Sequence, residues 1–458
     1  MIEGLKPYPR YKAGGLPWLG NVPEHWSIRR IKTVLQELDS RTRDGSGTLL
    51  SLTRIRGLIP HSEMTDKMHS AKTLVGYKRF QPGQIVMNRM QAWSGMFGTG
   101  PVAGLVSPDY AVFKILGNHN VRLVLERLKT SDLVGQFALE SKGIGSGFNR
   151  LYTDRFGPIP ITLPPPDEQK TIVRFLDHAN GKIERAIRAK RKLIALLNEQ
   201  KQAIIHRAVT RGLDPAVKLK PSGIPWLGDV PEHWEVLRSK YIYREVDHRS
   251  ATGNETHLSM SQKLGLVPRS QLEQRGLVSE SYVGAKLCVK GDLVLNRLKA
   301  HPGVFALAPE PGLISPDYTV FRPARDLESR YFEAAYRTPA CRVELRKRAK
   351  GIVQGFWRLY TDDFYDIKMP VPPVDEQQVL MKRLDGELAT LNTAIARTER
   401  EIELLREYRT RVTADVVTGK LDVREAVQRL PADTPEPLPP DDLHEDEISD
   451  EAIDEAEA

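Results

Sequence analysis

Apolar residues along this chain follow two alternating rhythms. Short runs such as Ile85-Val-Met87, Ala111-Val-Phe-Lys-Ile115, Leu293-Val-Leu295 and Thr319-Val-Phe321 are broken repeatedly by glycine and proline, which predicts short strands. Helices are expected among them around Val121–Leu128 and Leu327–Tyr336. Pro164-Pro-Pro-Asp and Pro372-Pro-Val-Asp then end each series, because proline cannot donate into a ladder. Asp167 and Asp375 are suited to cap a following helix, with Glu168 and Glu376 as acids in its first turn. Beyond them the rhythm changes. Leu176, Ile183, Ile187, Ile194, Leu197 and Ile204 fall on a 4-3-4-3 frame interrupted by Asn180, Lys190 and Lys201. Leu384, Leu388, Leu391, Ile395, Ile402, Leu405 and Val412 fall on the same frame, interrupted by Thr398 and Arg409. A stripe this narrow and this long predicts a coiled-coil seam rather than a globular helix face. About 40 residues at a rise of about 1.5 Å make a rod of roughly 60 Å. Two such seams in one chain are expected to pack together.

The two series are copies of each other. Gly15-Leu-Pro-Trp-Leu-Gly-Asn-Val-Pro-Glu-His-Trp26 returns as Gly223-Ile-Pro-Trp-Leu-Gly-Asp-Val-Pro-Glu-His-Trp234, 208 residues later. The same offset aligns Asn88-Arg89 with Asn296-Arg297 and Ser107-Pro-Asp-Tyr110 with Ser315-Pro-Asp-Tyr318. It also aligns Gly147-Phe148 and Arg150-Leu-Tyr-Thr-Asp154 with Gly355-Phe356 and Arg358-Leu-Tyr-Thr-Asp362, and Asp167-Glu-Gln169 with Asp375-Glu-Gln377. No insertion is needed, so the chain is a tandem duplication of a whole domain, not a solenoid. The fold class is α+β: two mixed α/β globular halves, each followed by a long helix, related by an internal pseudo-two-fold repeat.

Length and charge narrow the function. At 458 residues the chain is too long for one ordinary domain. No run of ~18 apolar residues occurs, which argues against a transmembrane helix, and the first ten residues lack a signal peptide's apolar stretch, so a cytoplasmic protein is expected. The two cysteines, Cys288 and Cys341, have no neighbours at metal-ligand spacing, so no disulfide framework, metal or cofactor is expected. The net charge of +8 hides a division. Beyond Pro431 there are 12 acidic residues and no lysine or arginine; the rest of the chain holds 67 basic against 47 acidic residues, a formal +20. A body that basic suggests a polyanionic partner, nucleic acid before membrane. The acidic, proline-rich tail reads as disordered, either a solubilising appendage or a competitor for the basic surface.

Two variable globular halves, each opening with Val-Pro-Glu-His-Trp and closing with Pro-Pro-x-Asp-Glu-Gln before a long helix, resemble the specificity subunits of type I restriction-modification systems. The resemblance runs from Gly15 to about Val423. It implies an N-terminal segment (1–14), a first target recognition domain (15–165), a central helix (166–213), a linker (214–222), a second recognition domain (223–373), a C-terminal helix (374–423) and a tail (424–458). It further implies that the helices form an antiparallel coiled coil and that the subunit is not itself catalytic. Its implied partners are double-stranded DNA, two adenine methyltransferase subunits and, for cleavage, endonuclease-translocase subunits. The acidic tail departs from the family pattern.

Chemistry intrinsic to the chain is hard to find. Ser107-Pro-Asp-Tyr110 approaches the loop by which amino-methyltransferases hold a flipped adenine, but lacks the second proline, and reads as a turn between strands. Gly143-Ile-Gly-Ser-Gly147 loses its middle glycine in the second copy, and no phosphate-binding loop is present. His25 and His233 have no companion at useful spacing and read as polar neighbours of packed tryptophans. Glu168 and Glu376 are expected to act with Asp167, Gln169, Asp375 and Gln377 at the helix starts, as dipole partners or subunit-docking residues. Residues identical in both copies are candidates for scaffold or phosphate contacts: Lys78/Lys286, Asn88-Arg89/Asn296-Arg297 and Arg150/Arg358. Polar residues that differ are candidates for base readout: Arg54/Gln262, Arg56/Leu264, Gln91/Lys299 and Trp93/His301. The competing readings are a methyltransferase or nuclease acting alone, and a coiled-coil scaffold with generic nucleic-acid affinity.

Overall fold

The apolar runs are continuous, rather than alternating, because both faces of each central sheet are covered. A computed structural model describes residues 5–64, 73–143, 149–261, 264–272, 282–297, 305–353 and 356–431. The chain divides into two compact units, Met1–Ala189 with Glu401–Ala458, and Lys190–Arg400.

In the first unit, antiparallel strands Leu35–Leu38, Tyr110–Ile115, Ile85–Asn88 and Phe97–Gly98 pair in that order. Ile85, Met87, Ala111 and Phe113 point into the main core with the Phe97, Phe137 and Phe156 rings. Their neighbours Val86 and Val112 point the other way, into a smaller core with Leu50, Leu52, Leu58 and Phe80. The leucines belong to a hairpin, Leu50–Thr53 with Gly57–Pro60. Gly57 makes that turn at φ +70°, and a Cβ there would lie 2.5 Å from the Thr99 carbonyl oxygen. Helices Val121–Leu128 and Ser131–Glu140 cover the main core, the first capped by the Asn120 side chain.

In the second unit, strands Tyr243–Val246, Tyr318–Pro323, Leu293–Asn296 and Phe305–Leu307 repeat the order. Leu293, Leu295 and Phe321 serve the main core; Val294 and Val320 serve the lesser one with Leu258 and Leu266. Helices Ser329–Tyr336 and Pro339–Arg348 take the covering positions.

The first long helix runs Pro166–Arg211 and the second Val374–Val417. Both begin one residue before the expected capping aspartates, so Asp167 and Asp375 lie in the first turn and favour the helix by their charge. The seam positions turn inward. Leu176, Ile183 and Ile187 are buried, as are Leu384, Ile402 and Val412; Ile194, Leu197, Ile204, Leu388, Leu391, Ile395 and Leu405 are half-buried. The polar interruptions are used as well. Arg409 meets Glu184 at 3.3 Å in the first unit, and Lys201 donates to the Asn392 side chain at 2.7 Å in the second. Thr398 is buried and turns its hydroxyl back to the Ala394 carbonyl.

Each long helix closes a different core from the one it begins in. Ala208 and Val209, at the end of the first, lie in the second unit's core. Val416 and Val417, their counterparts at the 208-residue offset, lie in the first unit's core. The N-terminal segment belongs there too: Tyr8 is buried, and the Asp422 amide donates to the Lys6 carbonyl. Residues 424–430, expected to be tail, include a helix, Arg424–Gln428, whose Ala426 and Val427 are buried against the first domain. That correction has a plain cause, since two small apolar residues suffice to anchor one turn on an existing core. The expected tail beyond Pro431 lies outside the described residues.

Candidate nucleic-acid interface

Glu37 organises the surface of the first domain. Its carboxylate meets Arg89 at 2.5 Å and Lys78 at 3.4 Å, and accepts the Thr153 hydroxyl at 2.6 Å. Lys78 is 2 % exposed, and burial pushes its ammonium below the ordinary lysine value, with the Arg89 charge adding to the effect. Lys286 is equally buried and donates to the Tyr318 carbonyl at 2.9 Å. These two lysines, candidates for scaffold or phosphate contacts, lie beneath the surface and face equivalent carboxylates, Asp39 at 3.8 Å and Asp247 at 3.9 Å. Glu245, at the offset from Glu37, accepts the Thr361 hydroxyl at 2.6 Å, repeating the Thr153 contact. The duplication itself carried that signal, since Glu37 and Glu245 are identical at the same spacing.

The arginines stand nearer solvent. Arg150 pairs with Asp109 and lies over the ring of Tyr152, which is 41 % exposed. Arg358 repeats the pairing with Asp317 at 3.3 Å. Arg297 donates to the Asp317 carbonyl at 2.9 Å. Ser107-Pro-Asp-Tyr110 is thus a turn between strands whose aspartate holds a surface guanidinium, with the Ser107 hydroxyl accepting the Asp109 amide at 3.3 Å. The backbone ties these groups together: the Leu151 amide donates to the Arg89 carbonyl, and the Leu359 amide to the Arg297 carbonyl. Asn88 donates to the Gln91 side chain at 2.9 Å, and Asn296 lies opposite Tyr318 on its strand.

The differing positions cluster beside this frame. Arg54 and Arg56 sit at the hairpin tip with Ile55, which is 57 % exposed. Arg54 donates to the Ser94 carbonyl at 3.0 Å, joining the tip to the loop that carries Gln91 and Trp93. Trp93 is 43 % exposed and donates its indole N–H to the Met90 carbonyl. Arg56 meets Glu63 at 2.8 Å. In the second domain Leu264 is exposed at the equivalent tip, while Gln262, Lys299 and His301 lie outside the described residues. So do Gly147-Phe148 and Gly355 of the repeated Gly-Phe pair.

The helix starts hold a constellation that sequence spacing concealed. Glu168 accepts the Trp26 indole at 3.1 Å and the Tyr8 hydroxyl at 2.6 Å, and meets His25 Nε2 at 2.6 Å. Glu376 repeats the contacts with Trp234 at 3.1 Å and His233 at 2.7 Å. The Glu168 side chain is 8 % exposed and fastens Trp26 to the start of the helix. Gln169 and Gln377 are buried as well; each donates to a proline carbonyl and accepts one backbone amide, from Asn120 and Glu328 respectively. In the Asp-Glu-Gln triplets Asp167 and Asp375 are exposed, and Glu376 is half-buried where Glu168 is buried. Among the described residues no cluster of His, Cys, Asp or Glu could hold a metal ion, and no helix is long and apolar enough to cross a membrane.

The two domains repeat one scaffold, and in the first the loops that carry Arg54, Arg56 and Trp93 stand at the surface. Residues 113–192 match the family model of the type I restriction modification DNA specificity domain. The chain is 25 % identical over 311 residues to the MjaVIII specificity subunit of Methanocaldococcus jannaschii, covering 62 % of this chain and 68 % of that one. It is also 25 % identical over 439 residues to the putative MjaX specificity subunit of the same organism, covering 89 % and 96 %. A solved structure from work on complex assembly and conformational transition of the type I system shares the fold, with a TM-score of 0.58 at 15 % identity, over 86 % of this chain and 98 % of that one. Along most of its length the chain is thus similar in sequence to type I restriction enzyme specificity subunits.

Proposed function

We propose that this chain is the DNA-recognition subunit of a type I restriction-modification complex and reads an asymmetric, interrupted target, one half-site per domain. The observation that supports this most is the combination of specificity-subunit relatives over most of the chain with a duplicated frame whose surface residues differ. Arg89, Arg150, Arg297 and Arg358, with Asn88 and Asn296, set register on the phosphates. Arg54, Arg56, Gln91 and Trp93 in one domain, and Gln262, Lys299 and His301 in the other, meet the bases; Arg and Lys match guanine, and Gln matches adenine. The paired helices fix the spacing between half-sites. Each copy docks one adenine methyltransferase subunit, and endonuclease-translocase subunits join for cleavage. Footprinting with the methyltransferase partner bound tests the reading. Two protected blocks separated by an unread spacer support it, whereas protection without sequence preference would favour a generic scaffold.

A further inference from the structure

The first long helix carries a stripe of cations without carboxylate partners among the described residues, close to Pro431, the last of those residues. Arg174, His178, Lys182 and Arg185 follow one another at spacings of four, four and three residues, and so share one helix face. That face is turned away from Leu176, Ile183 and Ile187 of the seam. The acids nearby are already engaged, Asp177 with Arg122 and Glu184 with Arg409. Among the described residues, none of Arg174, Lys182 and Arg185 forms an ion pair with a carboxylate. Burial lowers the His178 imidazole below the ordinary value, and the charges of Lys182, Arg185 and Arg174 each lower it further.

The last described residue meets this stripe. Arg174 donates to the Pro431 carbonyl at 2.8 Å, just after the helix Arg424–Gln428 has anchored on the core. Twenty-seven residues follow, with 12 carboxylates and no lysine or arginine. Six of those carboxylates, Asp433, Glu436, Asp441, Asp442, Glu445 and Asp446, occur in the first fifteen. Fully extended, the segment spans up to about 90 Å, whereas the stripe from Arg174 to Arg185 is only about 16 Å long. Reach is therefore ample, and tethering raises the local concentration of carboxylate.

We infer that residues 432–458 dock in cis on the Arg174–Lys182–Arg185 face of the first long helix, acting as an internal polyanion that occupies this cationic surface until a competing anionic partner displaces it. The inference rests on charge and on the exit contact, and is independent of which bases the domains read.

Zero-length carbodiimide coupling of the dilute full chain, read by mass spectrometry, tests it. Amide links from Lys182 to carboxylates between Asp433 and Asp446 are expected, within a single chain. They are expected to vanish in ~1 M salt, where the screening length falls to about 3 Å, and to fall sharply in the R174Q/R185Q variant. As a second readout, acetylation of Lys182 is expected to quicken when the 12 tail acids are changed to Asn and Gln. Links scattered over Lys32, Lys114 and Lys142 instead, links only between copies, or a Lys182 reactivity indifferent to the tail's charge would each overturn the inference.

Discussion

Glu168 accepts the indole N–H of Trp26 at 3.1 Å, joining the first turn of the long helix to a residue 142 positions earlier. One carboxylate thereby fastens the domain's opening motif to its closing motif, and the Tyr8 hydroxyl adds the N-terminal segment to the same point. Gly419, at φ +79°, packs over Trp26 from the end of the other long helix; a Cβ there would stand 2.6 Å from Pro23. Replacing Glu168 by Ala strands two buried donors, at a cost of about 1–3 kcal/mol for each. Glu376→Ala is expected to cost less, because its side chain is 31 % exposed and the position equivalent to Tyr8 is Ala216. Thermal unfolding of the two variants checks this; equal losses would deny the tyrosine its share.

Acid is expected to weaken the first unit before the second. Arg127 is 1 % exposed and forms a two-pronged pair with Asp132, at 2.9 and 2.7 Å. Burial pushes the Asp132 carboxyl up, but the Arg127 charge and the Thr130 hydroxyl outweigh it and hold the group below the ordinary carboxylate value. A depressed folded-state value means stability that is present above pH ~4, near the unfolded carboxylate value, and lost as pH falls through the folded one. The second copy has Ala335 and Ala340 at these positions and no such pair. Asp132→Asn is therefore expected to cost about 3–5 kcal/mol near neutral pH, because it leaves a buried guanidinium unpaired, and to flatten the acid limb of denaturant-melting curves of the first unit. An unchanged acid limb would remove the pair from the account.

The seam is expected to act as the spacer ruler. Ile187 is 2 % exposed, and Ile395 is half-buried on the other helix. Aspartate at both positions places unpaired charge in the seam, at a cost of several kcal/mol. Binding to the intact site is expected to fall while the domains stay folded by circular dichroism. Unaltered discrimination between the native spacer and one lengthened by a few base pairs would contradict this role.

The surface arginines are expected to control affinity without controlling sequence. Arg150→Ala is expected to weaken binding of matched and mismatched DNA alike and to reduce the salt slope by about one phosphate's worth. Asp109→Ala, which releases Arg150 from its carboxylate, is expected to raise affinity for both. Filter binding across a salt series reads both variants; a loss confined to one sequence would make Arg150 a base reader.

The repeated frame was legible in the sequence because two copies of one domain mark their own shared positions, and the helix seams because their period is regular. The strands at Ile85 and Ala111, with their counterparts at Leu293 and Thr319, followed from glycine and proline punctuation. Other features hid for physical reasons. The His25–Glu168 and Trp26–Glu168 contacts close over more than 140 residues, beyond any local spacing rule. The burial of Lys78 and Lys286 was not legible either, because identity between copies marks buried ion pairs as strongly as shared surface contacts. The helix Ser131–Glu140 carries Gly135 and only two fully buried apolar residues, Leu133 and Phe137, so its period is faint. The turn at Arg424–Gln428 is held by tertiary packing rather than by propensity.

The central claim is that two unlike readers on one repeated frame specify two unlike half-sites. Well-made bidentate contacts discriminate by about 1–3 kcal/mol each, so the differences at Arg54/Gln262, Arg56/Leu264 and Gln91/Lys299 suffice to separate them. The most direct measurement is single-molecule sequencing of methylated adenines in hosts carrying the native chain, a chain with residues 15–165 and 223–373 exchanged, or no chain. The account predicts an interrupted, asymmetric motif that depends on the chain, and the same two half-sites in reversed order, at the same spacer, after the exchange. A single uninterrupted motif, or an exchange that alters the spacer and leaves the order of the bases intact, would contradict it.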